Sequence, residues 1–398
     1  MTEGAGRLPL HRRSLLLAAA CAALPARAQQ RVFPLGLLRQ PDDERYSAQV
    51  LQQGFPDAPA GRSDSAAEIA LNDSVIPLQM AGWTATKLLP LEAPAAGLAA
   101  ALQQLRQRGV RHVVLELPAA GVAAVSAAAA GQDVILFNAA APEDALRAAQ
   151  CAPHLLHTLP SHAMQMDAIA QLLVQRKWSR PLVLHGPLAG DRLLQAAFQR
   201  AARRFGIKPV AERAFKLSND PRERDLGNVR LLTSDRDYDA VVVLDTQGEF
   251  AREVPYRTVL PRPVLGSNGL VAQAWSPFYE RYGAPQLSRR FLRKAGRPMG
   301  SYDWASWMAA RAAAEVAAAF NQASIAQQLQ ALRQGAVTVD GYKGHRLGFR
   351  AWDGQLRQPL LFAHGNGVAE LAPLEGFLHP RNTLDTLGYD APETGCKP

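Results

Sequence analysis

The sequence predicts an α/β protein with two lobes, each a parallel β-sheet covered by helices. Short apolar runs such as 239–245 alternate with segments of helical periodicity, as expected for buried parallel strands with helical crossovers. Glycine-rich and polar turns follow the strands, at the sheet edge where open α/β sheets bind ligands. The length of 398 residues exceeds one ordinary core and suits two lobes.

The first 150 residues repeat strand and helix. Apolar runs predict strands at 32–38, 85–91, 110–117 and 133–139, and helical periodicity predicts helices at 65–71, 98–108 and 119–130. Residues 39–64 are rich in Asp, Pro, Gly and Arg, which predicts a long irregular loop. Within this loop, Asp42–Glu44 are predicted to form a solvated turn.

The same pattern continues through the middle of the chain and changes near the end. Strands are predicted at 154–159, 181–185, 207–211, 239–245 and 263–266, with helices at 163–178, 191–205, 249–252, 273–282, 304–320 and 325–332. Asp353-Gly354 between the strand candidates 348–352 and 359–362 predicts a hairpin. The glycines of 364–367 indicate a turn between strands rather than a phosphate-binding loop.

Residues 1–28 have the three parts of an export signal. Arg12–Arg13 precede the apolar stretch 14–24, and the small residues of 26–28 suit a cleavage site, so twin-arginine export is compatible. The apolar stretch is too short to span a bilayer. Two alternatives remain: a basic N-terminus on a cytosolic protein, and a lipoprotein modified at Cys21.

The charge pattern argues against nucleic-acid binding. The net charge of +9 is spread among acidic residues, and no basic stripe interleaved with aromatic residues occurs. The densest basic cluster, 200–204, is predicted to be the solvated face of a helix.

Two cysteines, Cys151 and Cys396, follow the export signal. In an oxidising compartment two remaining thiols usually pair, which predicts a disulfide that fastens the C-terminal tail beside the region between the lobes. The alternative is two free thiols, since sequence alone does not place the cysteines within bonding distance.

Four segments carry a resemblance to a known family: 157–186, 237–245, 263–271 and 301–312. Their order and patterns resemble type I periplasmic solute-binding proteins, the leucine/isoleucine/valine-binding group of ABC transporters, over nearly all of the chain after the signal. Three further stretches are similar to a branch of this family that accompanies alcohol dehydrogenase systems dependent on pyrroloquinoline quinone (PQQ): 217–233, 349–361 and 373–388.

The resemblance implies two Rossmann-like lobes joined by a three-strand hinge, 31–153 plus 262–336 and 154–261 plus 337–398, which close over a ligand. It implies a periplasmic protein that binds a small organic solute, has no enzymatic activity and uses no cofactor. The expected partner is an ABC transporter permease, which would be the only contact with the membrane, and a PQQ-dependent dehydrogenase is a further candidate. The alternative is a sensory or assembly protein on the same scaffold.

The chain departs from the family at its ligand loops. Amino-acid-binding members carry hydroxyl-rich loops after the third and fourth strands, but the corresponding loops here, 116–121 and 138–142, have no hydroxyl. Glu116 would also repel a ligand carboxylate at close range. The loop after Leu184 lacks the expected aromatic and acidic residues. We therefore expect a ligand other than a standard α-amino acid.

The candidate ligand-binding residues lie after the strands or on aromatic-bearing segments. They are Glu116, Asn138, His185, Asp245, Glu249, Ser267, Asn268, Trp275 and Tyr302. Each polar residue could instead form hydrogen bonds with the backbone of its own loop or with water, and each aromatic residue could instead pack in the hydrophobic core. No metal site is expected at His154, His157 and His162, because no carboxylate or cysteine cluster accompanies them. No nucleophile elbow, phosphate loop or dinucleotide motif occurs, so no enzymatic activity is expected.

Overall fold

The computed structural model describes Met1, Thr2, Gly4 and residues 31–396 of the chain. The predicted export signal, with its apolar stretch 14–24, lies outside the described residues. None of the helices described is long and apolar enough to cross a membrane.

The first lobe is a parallel sheet with strand order β2-β1-β3-β4-β5. Its strands are β1 (Val32–Arg39), β2 (Ala85–Glu92), β3 (His112–Glu116), β4 (Ile135–Asn138) and β5 (Leu155–His157). The helices between them are α1 (Ala48–Gln53), α2 (Asp64–Asp73), α3 (Val75–Met80), α4 (Leu98–Gln107) and α5 (Ala119–Ala128). Every residue of β3 and β4 is buried, because helices cover both faces of the sheet.

The second lobe is a parallel sheet with strand order β7-β6-β8-β9. Its elements in chain order are α6 (His162–Gln175), β6 (Leu182–His185), α7 (Ala189–Phe205), β7 (Ala211–Ala214), α8 (Val229–Leu232), β8 (Val241–Leu244), α9 (Val254–Arg257) and β9 (Val264–Gly266). Helix α6 begins where the Ser161 hydroxyl accepts a hydrogen bond from the Met164 amide. Gly206, in a left-handed conformation, ends α7.

The remaining elements return to both lobes. They are β10 (Val271–Gln273), α10 (Ala284–Ala295), α11 (Ser301–Ala319), α12 (Ile325–Arg333), β11 (Val339–Asp340), β12 (Arg346–Leu347), β13 (Leu360–His364) and β14 (Gly367–Ala372). The alanine-rich α11 packs against α2 in the core of the first lobe. Strands β10, β13 and β14 form a small antiparallel sheet whose residues share the core of the second lobe with α6 and α7.

Three chain segments join the lobes, at 158–161, 273–274 and 356–360. The first and third are hydrogen-bonded side by side: the Leu356 amide donates to His157 O at 2.8 Å and Gln358 Nε2 donates to Thr158 O at 2.8 Å. The buried Lys343 ammonium donates to Gln358 Oε1 at 3.0 Å and to Pro359 O at 3.1 Å. Burial lowers the pKa of Lys343 well below its ordinary value.

Several predicted elements differ in the structure. The predicted loop 39–64 contains α1, and Asp43 of its supposedly solvated turn is buried against Arg45. The helix predicted at 273–282 is wrong, because Pro277 interrupts the segment, and the helix begins only at Ala284, after Gly283. The turn at Asp353-Gly354 connects a single antiparallel bridge, Phe349 with Leu356, rather than the two strands of a hairpin. Residues 364–367 form the turn of the β13–β14 hairpin, as predicted.

The lobe boundaries also shift from those predicted. β5 pairs with β4 in the first sheet, so 154–157 belongs with the first lobe rather than the second. β9 pairs with β8 in the second sheet, so 264–266 belongs with the second lobe. After residue 336, β11 and β12 pack into the core of the first lobe through Val339 and Leu347. A parallel strand belongs to the lobe of the strand it pairs with, and the apolar pattern of the sequence does not reveal that partner.

The disulfide prediction is confirmed. Cys151 and Cys396 are bonded, with Cα atoms 5.7 Å apart. The solvated helix face predicted at 200–204 is wrong in part. Arg200 and Arg204 both bind the buried Asp167 carboxylate, at 3.0 Å and 2.9 Å, because the C-terminal tail covers this part of α7.

His112 provides a prediction about pH and stability. It is buried in β3 with Nε2 2.9 Å from Gln328 Oε1, and burial lowers its pKa to about 4. The unfolded imidazole binds a proton below pH 6.5, so stability is lost as the pH falls from there through the folded pKa. Between pH 7 and 4.5, urea denaturation should show wild type losing about 2–3 kcal/mol more than His112→Gln. Equal losses in the two proteins would contradict a buried neutral imidazole.

Candidate functional site

A cavity of about 670 Å³ lies between the lobes, which we call the inter-lobe cavity. The first lobe contributes residues 44–59, Pro142, Glu143 and Tyr302, and the second contributes the start of α6 and the turns after β6, β8 and β9. Its apolar wall is formed by Phe55, Met166, Ile169, Leu194 and Val271. The volume suits a small organic molecule.

Residues 44–59, the bridging segment, extend from the first lobe across the cavity. The Arg252 guanidinium of the second lobe lies 4.7 Å from the centre of the Phe55 ring and donates to Gln53 O. Gly248 has a φ of +79°, and a Cβ there would lie 2.6 Å from Phe55 Cγ, so glycine permits this approach. The lobes are therefore in contact across the cavity.

Asp57 lies where the two lobes meet. Its carboxylate accepts a hydrogen bond from Ser301 Oγ of the first lobe and one of 2.6 Å from Gln165 Nε2 of the second. Burial raises the pKa of Asp57 to about 7, and the Lys343 ammonium opposes that rise. Asp57 also has a left-handed backbone, with φ of 55°. Protonation of this carboxyl is therefore poised near neutral pH at the junction of the lobes.

Arg45 is the one lysine or arginine among the described residues that line the cavity. Its guanidinium binds Asp43, with Nη2 2.7 Å from Oδ2 and Nε 3.0 Å from Oδ1, and also donates to Ala140 O. Asp43 is buried and faces Arg45 in a two-point ion pair. The positive charge is therefore already balanced within the protein.

Within the described part of the chain, two cavity-lining residues carry buried side-chain atoms without a hydrogen-bond partner: His162 Nδ1 and Glu143 Oε2. Glu143 and His162 line the same end of the cavity, because the His162 amide donates to the carbonyl of Pro142, the neighbour of Glu143, at 3.0 Å. His162 is only 7% exposed. A buried polar atom without a partner is costly, so this end of the cavity lacks groups that a ligand could supply.

In the first lobe, backbone amides near the carboxyl ends of the strands donate hydrogen bonds to side chains of the protein itself. Asn138 Oδ1 accepts from the amides of Ala140 and Ala141 at 3.2 Å and 2.9 Å. Glu116 accepts from the Ser63 amide at 3.0 Å and faces Arg62 at 3.4 Å. These amides are therefore unavailable to a ligand carboxylate.

In the second lobe, two carboxylates accept hydrogen bonds from the backbone amides that follow the strands. Asp191, at the start of α7, accepts from the amides of Leu188 at 3.0 Å and Thr246 at 2.7 Å. Asp245 accepts from the amides of Gln247 at 3.1 Å and Ala251 at 2.9 Å. The positive end of the α7 helix dipole is thus already neutralised by the protein's own carboxylate.

Comparison with known proteins agrees with this architecture. The model of the periplasmic binding protein family matches residues 92–252. A substrate-binding protein of an ABC transporter from Sphaerobacter thermophilus has a TM-score of 0.68 at 17% identity, covering 86% of this chain and 98% of that one. The chain has the type I periplasmic-binding-protein fold. No curated protein matches its sequence.

Two further structures with the periplasmic-binding-protein fold were determined with ligands. One is a substrate-binding protein from Desulfitobacterium hafniense in complex with Leu (TM-score 0.65, 17% identity, 85% of this chain and 99% of that one). The other, from Rhodopseudomonas palustris, is in complex with 3,4-dihydroxybenzoic acid (TM-score 0.62, 13% identity, 85% and 94%). The resemblance inferred from the sequence is confirmed for the periplasmic binding proteins. Membership of the PQQ-associated branch stays a prediction.

Within this periplasmic-binding-protein fold, the residues predicted for the site divide into two groups. Those that line the inter-lobe cavity are Asp245, Glu249, Ser267 and Tyr302. Those that lie outside its lining are Glu116, Asn138, His185, Asn268 and Trp275. Trp275 stacks on Trp304 in the core of the first lobe, at 6.2 Å between ring centroids.

Glu143, His162 and the bridging segment line the cavity but are not among the residues predicted from the sequence. Phe55 and Asp57 occur in a stretch whose composition predicts an irregular loop, so no periodicity indicated a role. His162 was considered only as a metal ligand. Its position directly after the α6 N-cap Ser161 was the available signal, since it places the side chain at a strand-to-helix turn. Among the residues described, no three His, Cys, Asp or Glu side chains are grouped to hold a metal ion.

Proposed function

We propose that this protein is the periplasmic solute-binding component of an ABC transporter, and that it holds a small organic molecule in the inter-lobe cavity. The observation that carries the proposal is a cavity of about 670 Å³ at the contact of two hinged α/β lobes. The three segments between the lobes, stiffened by hydrogen bonds such as that of Gln358 to Thr158, suit a hinge of limited travel.

The ligand we propose is not a standard α-amino acid. The amides after β4 are bound by Asn138, and those at the start of α7 by Asp191, so a ligand carboxylate would find these donors occupied. We propose contacts with Asp57, Glu143, His162 and Tyr302, and with the apolar wall around Phe55.

Native mass spectrometry of the mature protein from its own periplasm tests this proposal. We expect one small molecule bound without a covalent bond, and Phe55→Ala should weaken its binding by about tenfold, because the ring spans the two lobes. Leu378→Ala is the matched control, since this side chain is 84% exposed and does not line the cavity. Turnover of the bound molecule by the purified protein would contradict a solute-binding role.

The second candidate is a sensory or assembly protein on the same scaffold. The backbone amides that follow the strands are bound by the protein's own side chains. This favours the second candidate, because a sensory or assembly protein need not retain the family's ligand chemistry. Affinity capture from the native host separates the two candidates. Recovery of a permease supports transport, and recovery of a PQQ-dependent dehydrogenase without a permease supports the second candidate.

A further inference from the structure

Among the described residues that line the inter-lobe cavity, carboxyl groups outnumber cationic side chains. Five carboxylates line it, those of Glu44, Asp57, Glu143, Asp245 and Glu249. The opposing cation, Arg45, is already balanced by Asp43. A ligand that enters this cavity therefore meets more carboxyl groups than cationic groups.

Glu143 and His162, whose side chains each have a buried atom without a partner in the described ranges, add to this excess of accepting groups. A carboxylate oxygen accepts hydrogen bonds, and Glu143 Oε2 is buried with no donor beside it among the described residues. His162 Nδ1 is also buried without a partner in the described part of the chain, and an imidazole nitrogen accepts a hydrogen bond when it carries no proton. Glu143 and His162 line the same end of the cavity, since the His162 amide donates to Pro142 O, so a ligand group with several N–H donors would meet both residues there.

The other walls fit the rest of such a molecule. Tyr302 contributes an aromatic ring, and aromatic rings attract cations through their faces, whereas Phe55, Met166, Ile169 and Leu194 supply apolar surface. Asp57 offers a second carboxyl, held between Ser301 and Gln165 at the junction of the lobes. A positively charged ligand beside Asp57 favours its ionised form and so adds attraction near neutral pH.

From these contacts we infer that the inter-lobe cavity selects a cationic organic amine, with Glu143 and His162 receiving the ammonium group and the apolar wall receiving the carbon skeleton. This inference rests on the proposed solute-binding function and names its ligand class. A carboxylate is disfavoured in the same cavity, because it would face Glu143 and Asp57 without a free cation to balance it.

Calorimetric titration with two matched series tests the inference: butylamine, butan-1-ol and butyrate, and benzylamine, benzyl alcohol and benzoate. Within each series only the head group changes, so the skeleton cancels from the comparison. We expect the amines to bind at least about tenfold more tightly than the alcohols, and the carboxylates to bind most weakly. Added salt should weaken only the amines appreciably.

Variants show which groups are responsible. Glu143→Gln keeps the size of the side chain but removes its charge, and we expect it to reduce amine affinity about tenfold or more while alcohol affinity changes little. Glu253→Gln is the matched control, because Glu253 lies outside the cavity and pairs with Arg257 on the surface. Circular dichroism of each variant establishes that the fold is retained.

The possible failures are distinguishable. Tighter binding of the carboxylates or alcohols, or unchanged amine affinity in a folded Glu143→Gln variant, would overturn the inference and leave the solute-binding function standing. Absence of binding by all six compounds, together with no co-purifying molecule, would overturn both.

Discussion

Replacing Asp385 by alanine is expected to lower the free energy of unfolding by about 3–5 kcal/mol. Asp385 is fully buried and accepts hydrogen bonds from Arg350 Nε at 2.8 Å and Arg357 Nε at 2.9 Å. Arg350 is itself only 1% exposed. Removal of the carboxylate leaves the buried Arg350 guanidinium with the longer ion pair to Asp353, at 3.7 Å, in place of the 2.8 Å bond to Asp385.

Urea denaturation of the wild type and Asp385→Ala measures this loss. Asp385→Asn should fall between them, because it retains the shape and one acceptor but not the charge. Glu253→Ala is the surface control, and its exposed ion pair with Arg257 should contribute little. An unchanged midpoint for Asp385→Ala would mean that Asp353 and the carbonyls of 384–389 suffice to hold Arg350.

Removal of the Cys151–Cys396 disulfide is the second change with a large expected effect. The bond closes a loop with a sequence separation of 245 residues, and the constraint it places on the unfolded chain is expected to contribute about 2–4 kcal/mol. In the folded protein, the tail packs on the second lobe, where Asp167 accepts from the Gly388 amide at 2.8 Å. Its end is bonded to Cys151, which follows β4, so the disulfide joins the tail to the first lobe.

The comparison is between the oxidised protein and a Cys151→Ser/Cys396→Ser variant. The variant should unfold at lower urea concentration, and a reducing agent should bring the wild type to the same midpoint. The reducing agent should not move the midpoint of the variant, which controls for effects unrelated to this bond. If reduction leaves the wild type unchanged, Thr394 and Gly388 hold the tail without the disulfide.

The candidate site was only partly predictable. Asp245 and Ser267 follow buried strands and line the cavity, as the strand-end rule predicts. Glu116 and Asn138 also follow strands, but their side chains bind their own or neighbouring amides. A polar residue at a strand end can serve a ligand or its own loop, and the choice depends on which donors the fold brings within reach.

The sequence by itself determined the class of the fold and predicted that Cys151 and Cys396 pair, whereas the structure placed them within bonding distance. Buried parallel strands such as β8 are apolar on both faces, and that property is local enough to appear as a continuous run. Only the tertiary structure decided which sheet β5 and β9 join, and that the bridging segment closes the inter-lobe cavity. Periodicity reports how deeply a segment is buried, whereas its partner depends on contacts between residues far apart in the chain, as when Phe55 packs on Gly248.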